Sequence, residues 1–145
     1  MRKVVVDSNV IVKWFILEDY SEQAKLLRND HLMGYVEAVA PIYALLEVYS
    51  ALRKYFIRGI INEEELNKIT DLLYEVGIHF IGVTKELLDK AIKYSIEKHV
   101  TIYDAYYIVL AYELDTVVYT ADEKLLRRLS GDEPKVKHIK KYTRS

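Results

Sequence analysis

The chain has 145 residues and a formal net charge of −1, with 51% hydrophobic and 30% charged residues. This length is sufficient for one domain spanning residues 1–145 with a proper core, and the composition is typical of a folded soluble protein. The near-zero net charge does not indicate a nucleic-acid binder, and the absence of cysteine excludes disulfides and Cys-ligated zinc or iron–sulfur sites.

Apolar runs and capping residues predict an alternation of strands and helices. The first strand is predicted at Lys3–Val6, followed by helices at about 10–15 and 21–28, and the second strand at Tyr35–Val39, followed by helices at Pro41–Arg58 and from Asn62 to Gly77. The third strand is predicted at Ile78–Val83, followed by helices from Thr84 to about Lys98 and from Thr101 to about Leu114. A strand at Val117–Thr120, a helix at Asp122–Leu129 and a last strand at Val136–Ile139 complete the prediction. No hairpin turn signal separates these elements. The alternation therefore predicts an α/β fold of three layers, with helices on both faces of a central parallel sheet of four to five strands.

The start of the chain resembles a signal peptide only briefly. Asp7, Asn9 and Lys13 interrupt the apolar stretch, and no small-residue cleavage site follows. No window approaches the ~20 apolar residues that a membrane-spanning helix needs. We therefore expect a cytoplasmic protein without a membrane partner.

Four acids each lie within or next to an apolar run of the sequence: Asp7, Glu47, Asp104 and Asp122. The last three have no Lys or Arg three or four residues away. Asp7 and Asp122 follow predicted parallel strands, whose carboxyl ends share the edge of the sheet where ligands bind. Asp104 lies on an apolar helical face, a costly place for an unpaired carboxylate.

Each of these acids also has an interpretation that needs no ligand. Asp7 could belong to a turn. Asp104 could lie in a helix start capped by Thr101, and Asp122 in the first turn of a capping box that begins at Thr120. Taken together, however, three or four carboxylates converging at ~4–6 Å would repel one another without a cation. A divalent metal held by oxygen ligands is the preferred explanation.

Glu47 lies on a narrow polar strip of its helix. The rest of the helix surface forms a broad apolar arc of Ile42, Leu45, Leu46, Tyr49, Leu52 and Phe56, widened by Ala44, Val48, Ala51 and Tyr55. The strip could be a solvated face, or it could line a cleft in which Lys54 and Arg58 point along a phosphate backbone. Both interpretations stay open at the level of the sequence.

Other basic residues are candidates for the same role. Lys124, Arg127 and Arg128 follow the fourth acid, and the segment 135–145 contains several basic residues and no acid. That segment is either a solvated chain end or an additional contact for nucleic acid.

The sequence resembles PIN domains, and most of all the VapC-type toxin ribonucleases of bacteria and archaea. The resemblance covers nearly the whole chain and is carried by four motifs: VVDSNV at Val5–Val10, LEV at Leu46–Val48, IYDA at Ile102–Ala105 and YTAD at Tyr119–Asp122. The family's fold, a parallel sheet flanked by helices, agrees with the predicted elements.

The resemblance implies a metal-dependent endoribonuclease. Asp7, Glu47, Asp104 and Asp122 would bind Mg²⁺ or Mn²⁺, with Ser8 and Thr120 near the ligands. A metal-activated water would cleave RNA and leave 5′-phosphate and 3′-hydroxyl ends. Some family members carry a further acid two residues after the fourth, where this chain has Lys124. A second metal would then depend on the substrate phosphate.

The resemblance also implies partners. VapC-type toxins usually form homodimers and are inhibited by an antitoxin whose tail fills a groove beside the active site. Trp14 and Phe15 could contribute to such a groove or could belong to the core. The alternative function is a non-catalytic PIN-like module that binds RNA or protein and keeps the acids as helix caps.

Overall fold

The computed structural model describes residues 2–144 and contains one five-stranded sheet. The strands are β1 (Arg2–Val6), β2 (Val36–Pro41), β3 (His79–Ile81), β4 (Val118–Thr120) and β5 (Val136–His138). The α-helices are α1 (Ser8–Val12), α2 (Ser21–Leu32), α3 (Tyr43–Ile57), α4 (Glu63–Val76), α5 (Lys85–Lys98), α6 (Ile102–Glu113) and α7 (Glu123–Leu129), and a 3-10 turn spans Ile139–Lys141. Among residues 2–144, none of the helices combines the length and apolar character needed to cross a bilayer.

The sheet is parallel throughout, in the order β3-β2-β1-β4-β5, which confirms the predicted fold. Its centre is β1, where Val4, Val5 and Val6 are all fully buried. Because neighbouring side chains of a strand point to opposite faces, this burial requires cover on both faces of the sheet. The three layers follow from that requirement.

Most predicted helix starts are confirmed by their capping bonds. Asn62 and Glu65 form a reciprocal capping box at the start of α4. Thr84 caps α5 and Thr101 caps α6 through their side-chain hydroxyls. These signals are visible in the sequence because each bond joins groups only three residues apart.

Some predicted boundaries were wrong. Pro41 is the last residue of β2, paired with Ile81, and α3 begins only at Tyr43. The Ile42 backbone N–H donates to the Ile81 carbonyl at 2.8 Å, which extends the contact with β3 past the proline. β3 itself is shorter than predicted because it is an edge strand with a single neighbour.

Only one stripe of the predicted apolar arc of α3 packs against the core. Its buried face consists of Ala44, Val48 and Leu52, whereas Leu46 is 74% exposed. Ile42, Tyr49 and Phe56 are exposed as well. Short side chains four residues apart form the stripe that packs against the core. The helix therefore keeps an uncovered apolar surface.

The basic C-terminal segment folds back on the domain. The Tyr142 hydroxyl donates to Asp30 Oδ2 at 2.7 Å, and Arg144 Nε donates to Asp30 Oδ1 at 3.0 Å. Asp30 is fully buried in α2. Tyr142 is therefore buried in the folded domain, and Arg144, whose side chain is 50% exposed, is joined to it by an ion pair with Asp30.

Candidate active site

The four predicted acids lie on elements that meet at the carboxyl edge of the sheet. Asp7 follows β1 directly, and Asp122 lies two residues beyond the end of β4, which pairs with β1. Glu47 is in the second turn of α3, and Asp104 is in the first turn of α6. The parallel topology thus gathers acids that are more than one hundred residues apart in the chain.

Asp7 is the most buried of these acids, with 6% of its surface exposed. Burial, and next the nearby charge of Asp104, raise the pKa of Asp7 to about 7, and Glu47 adds to the effect. Two hydroxyls hold the carboxylate: Thr120 Oγ1 donates to Oδ2 at 2.9 Å and Ser8 Oγ donates to Oδ1 at 3.3 Å. The structure therefore places both predicted supporting residues against Asp7.

Asn9 connects the start of α1 to the end of β4, a role that the sequence alone did not reveal. Its Nδ2 donates to Thr120 Oγ1 at 3.2 Å, and its Oδ1 accepts the Ala121 backbone N–H at 3.0 Å. The Thr120 hydroxyl also accepts the Asp122 N–H at 3.0 Å. The only sequence signal was the position of Asn9 in the motif VVDSNV, because its partners lie more than one hundred residues away.

Tyr107 links Glu47 to the start of α1 and was likewise missed. The buried Tyr107 hydroxyl donates to Glu47 Oε1 at 2.7 Å and accepts the Ser8 N–H at 3.3 Å. Burial is the main cause of the raised pKa of Glu47, which this hydrogen bond partly offsets. The signal in the sequence was that Tyr107 shares a helical face with Asp104. Glu47 is therefore a half-buried, oriented carboxylate, and the solvated-face interpretation was wrong.

Asp104 and Asp122 form the more open side of the cluster. Burial, followed by the charge of Asp122, raises the pKa of Asp104. Both residues also take part in helix starts: Thr101 Oγ1 accepts the Asp104 N–H at 3.1 Å, and Asp122 Oδ1 accepts the Leu125 N–H at 3.1 Å. Capping and membership of an acid cluster therefore coexist in these two residues.

The capping box predicted at Thr120 was wrong. Asp122 is itself the N-cap of α7, and Thr120 is the last residue of β4. The Thr120 side chain bonds to Asp7 and Asn9, and the local N–H that it accepts is that of Asp122 rather than one three residues ahead.

The donor set fits a hard divalent cation. All four groups are carboxylates, the oxygen ligands that Mg²⁺ and Mn²⁺ prefer. Among residues 2–144, no three Asp, Glu or His side chains converge tightly enough to form a ready-made ligand group. The acids are near enough to act on one another as charges: burial is the main cause of the raised pKa of Asp7 and of Asp104, and neighbouring acids add to both.

The predicted basic residues divide into two groups. Lys124 lines a cavity of about 180 Å³ with Asp104 and Asp122, and together with Arg127 it lines a shallow basin on the other side of Asp122. Lys54, on α3, and Arg58, just past its end, are instead exposed and lie about 10 and 16 Å along the helix axis from Glu47. The structure does not bring this second pair to the acids.

A larger groove of about 570 Å³ lies between α2 and α4. Its lining includes Phe15, Leu32, Ile69 and Leu72. Trp14 borders the groove but is only 2% exposed, and its indole N–H donates to the Ala24 carbonyl at 2.7 Å. Trp14 is thus a core residue, whereas Phe15 is available to the groove.

Comparisons with known proteins agree with this architecture. The chain is 28% identical over 131 residues to Ribonuclease VapC3 of Pyrobaculum aerophilum. The aligned region covers 87% of this chain and 94% of that protein. A crystal structure of a Pyrobaculum aerophilum protein is similar with a TM-score of 0.66 and 19% identity, covering 96% of this chain and 92% of the other. A toxin–antitoxin complex from Klebsiella pneumoniae is similar with a TM-score of 0.64 and 15% identity, covering 94% and 97%.

The family assignment depends on a match to most of the chain. The family model for the PIN domain matches residues 4–131, which include all four acids, most of β1 and the whole of β2, β3 and β4. The protein therefore belongs to the PIN domain family.

Proposed function

We propose that this protein is a metal-dependent endoribonuclease and the toxin of a VapBC-type toxin–antitoxin pair. The observation that carries the proposal is the buried carboxylate of Asp7. It is held by two hydroxyls and repelled by neighbouring acids, and within residues 2–144 no Lys or Arg forms a salt bridge with it. Such a group is stable as an anion only when a cation joins it. The similarity to Ribonuclease VapC3 supports RNA as the substrate.

The ligands of this cation would be Asp7, Glu47, Asp104 and Asp122. When bound, Mg²⁺ or Mn²⁺ supplies Lewis-acid chemistry, polarising water and phosphate oxygens for hydrolysis of a phosphodiester bond. Thr120 fixes the orientation of Asp7, and Tyr107 fixes that of Glu47. The half-exposed Asp104 and Asp122 leave the open side of the cluster for the RNA strand.

The test compares the wild type with Asp104→Asn on a mixed-sequence single-stranded RNA, with Mg²⁺ or Mn²⁺ added. A matched control is Glu113→Gln, which removes an exposed acid from the last turn of the same helix. We expect cleavage by the wild type and the control, and a loss of at least ~100-fold in the Asp104 variant. Chelation should stop the reaction, and the products should carry 5′-phosphate and 3′-hydroxyl ends.

The alternative, a non-catalytic binding module, is supported by the capping bonds of Asp104 and Asp122. If no protein cleaves RNA, the melting temperature decides between a narrow substrate preference and this alternative. A metal-induced increase that Asp104→Asn lacks indicates an intact metal site. An unchanged melting temperature in all three proteins indicates acids that serve only as caps.

The groove between α2 and α4 is proposed as the contact for the antitoxin. A toxin–antitoxin complex is among the structures with this fold. Leu72, which is 36% exposed on α4, faces the groove, whereas Tyr74, which is 64% exposed on the same helix, is not among its lining residues. Leu72→Asp should abolish co-purification with the product of the adjacent reading frame, and Tyr74→Asp should not.

A homodimer is proposed through the outer face of α5. Leu88, Ile92 and Ile96 are spaced one turn apart and are 40%, 52% and 70% exposed. An apolar stripe of this kind is typical of a surface covered by a partner. Ile92→Glu should convert the dimer to a monomer in sedimentation analysis, whereas Ile57→Glu, a similarly exposed apolar position on α3, should leave the dimer intact.

We further propose that residues 1–145 form one PIN domain and that the protein acts in the cytoplasm. The segment after residue 131 adds β5 to the same sheet and bonds through Tyr142 to α2. This continuity supports a single folding unit. The cytoplasm is the compartment in which a ribonuclease of this kind would encounter its RNA substrate.

A further inference from the structure

A small cavity beside the acid cluster combines acids with two cations. It has a volume of about 180 Å³ and is lined by Val100, Asp104, Asp122, Lys124, Leu125 and Arg128. Lys124 and Arg128 are four residues apart on α7, so they extend from the same face of the helix. The cavity therefore places two positive side chains opposite two of the proposed metal ligands.

Arg128 is held in place by the chain. Its Nη1 donates to the His99 carbonyl at 3.1 Å, at the turn just before α6. This bond uses one of five N–H groups, so the guanidinium keeps donors for a further acceptor. Its charge is close enough to Asp104 to counteract part of the rise in the pKa of that acid.

Lys124 is an exposed lysine with no hydrogen bond or salt bridge to any residue of the described chain, 2–144. It lines both the small cavity and the adjoining basin, on either side of Asp122. Lys13, another cation of that basin, is instead bonded to Glu18 at 3.1 Å. Lys124 is therefore free to meet a ligand at the acids, and unlike Arg127, which lines the basin but not the small cavity, it borders both spaces.

Charge balance indicates what that ligand is. Four carboxylates and one divalent cation leave a net negative site, and a phosphodiester brings a further negative charge. RNA can approach such a site only when additional positive charge lies beside the metal ligands. A guanidinium and an ammonium are the groups proteins use to bind phosphate oxygens.

We propose that Lys124 and Arg128 form a phosphate clamp that binds the reacting phosphodiester of the RNA next to the acids. This inference rests on the proposed ribonuclease function and assigns a role that the four acids cannot fill. Arg128 supplies fixed hydrogen bonds to the phosphate oxygens, and Lys124 supplies a mobile charge. The clamp lies on α7, so the reacting phosphate is held on the Asp104–Asp122 side of the cluster.

The experiment uses Lys124→Gln, Arg128→Gln and the conservative Lys124→Arg. The matched control is Lys93→Gln, which removes one exposed lysine charge from the middle of α5, away from the acids. We expect each Gln variant at the clamp to lower kcat for a mixed-sequence single-stranded RNA by about 10- to 100-fold. Lys124→Arg should restore most of the rate, and Lys93→Gln should behave as the wild type.

Mn²⁺ binding, measured by titration without RNA, separates a clamp from a structural role. Removing a positive charge near the acids should leave Mn²⁺ affinity unchanged or increase it, because like charges repel. Loss of Mn²⁺ affinity together with cleavage in the Gln variants would overturn the inference, since the residues would then support the metal site. Unchanged cleavage in both variants would overturn it as well.

RNA binding without added metal distinguishes failure of the clamp from failure of the proposed function. The logarithm of the binding constant should fall less steeply with salt in the double variant Lys124→Gln/Arg128→Gln, by about 0.7 for each phosphate that the protein no longer neutralises. If the wild type does not cleave RNA but this slope changes as expected, Lys124 and Arg128 bind RNA phosphate and the nuclease proposal fails. If the wild type cleaves RNA and the slope does not change, the clamp fails alone.

Discussion

Two buried aspartates, Asp7 and Asp30, show how the same side chain can serve opposite purposes. Asp30 is fully buried, and its carboxylate is satisfied by the chain itself, through the Tyr142 hydroxyl at 2.7 Å and Arg144 Nη2 at 2.9 Å. Asp7 is almost as buried, but its neighbours are hydroxyls and other acids. The charge of a buried acid with its own cation is compensated within the fold, whereas a buried acid without one carries an electrostatic cost that a ligand can relieve.

The largest effect should come from Asp7→Asn in metal-free protein. Below pH 3.8 Asp7 is protonated in both the folded and the unfolded state. As the pH rises toward about 7 only the unfolded state loses the proton, so the free energy of unfolding falls. At pH 8 the accumulated cost is about 4 kcal/mol. Asp7→Asn should therefore be more stable than the wild type at pH 8, and the two should converge near pH 4 in urea unfolding.

The comparison with Asp30 supplies the control for that experiment. Asp30→Asn removes the anion that Arg144 and Tyr142 bind, so it should destabilise the protein at pH 8. Changes of opposite sign in the free energy of unfolding for the two substitutions would support the distinction between Asp7 and Asp30. If the metal-free wild type is more stable than Asp7→Asn at pH 8, the distinction is wrong, because Asp7 would then stabilise the protein without a cation.

Metal addition should have the next largest effect. At a Mg²⁺ or Mn²⁺ concentration of 100 times the dissociation constant, the folded state gains about 2.7 kcal/mol. The wild type should show this gain as a raised melting temperature, and Asp7→Asn should lose most of it. Lower pH should weaken the effect below about 7, because a proton then competes with the metal for Asp7. An equal gain in both proteins would place the metal elsewhere.

The smallest effect should come from Tyr142→Phe. This change removes one hydrogen bond to the buried carboxylate of Asp30, which should cost about 2 kcal/mol and lower the melting temperature by about 4–8 °C. RNA cleavage at a temperature well below unfolding should stay unchanged. A loss of cleavage in the folded variant would show that the C-terminal segment also serves the site, contrary to its structural role.

The sequence was sufficient for the parallel α/β fold and for the location of Asp7 and Asp122, while it left the environment of Glu47 open. Apolar runs such as the valines of β1 report burial on both faces, and caps such as Asn62 and Thr84 act within three residues. These signals are local in the chain, so they can be recognised without knowing which elements become neighbours. Because parallel strands share their carboxyl edge, the location of Asp7 and Asp122 followed directly.

Other features were decided only by the tertiary structure. Asn9 bonds to Thr120, Tyr107 to Glu47, and Asp30 to Arg144, over separations of 60 to 114 residues. No local pattern marks such pairs, because their meeting depends on the strand order.

Tertiary packing also decided which side of α3 is buried and which basic residues lie near the acids. A helix with apolar residues around most of its circumference does not reveal which stripe will be covered, and packing buried Ala44, Val48 and Leu52. Packing likewise placed Lys124 and Arg128 beside the acids and left Lys54 away from them. The sequence by itself determined the elements and the two acids, Asp7 and Asp122, that follow strands, because those depend on local chemistry. The tertiary structure decided which groups meet, because burial and long-range contacts depend on the whole fold.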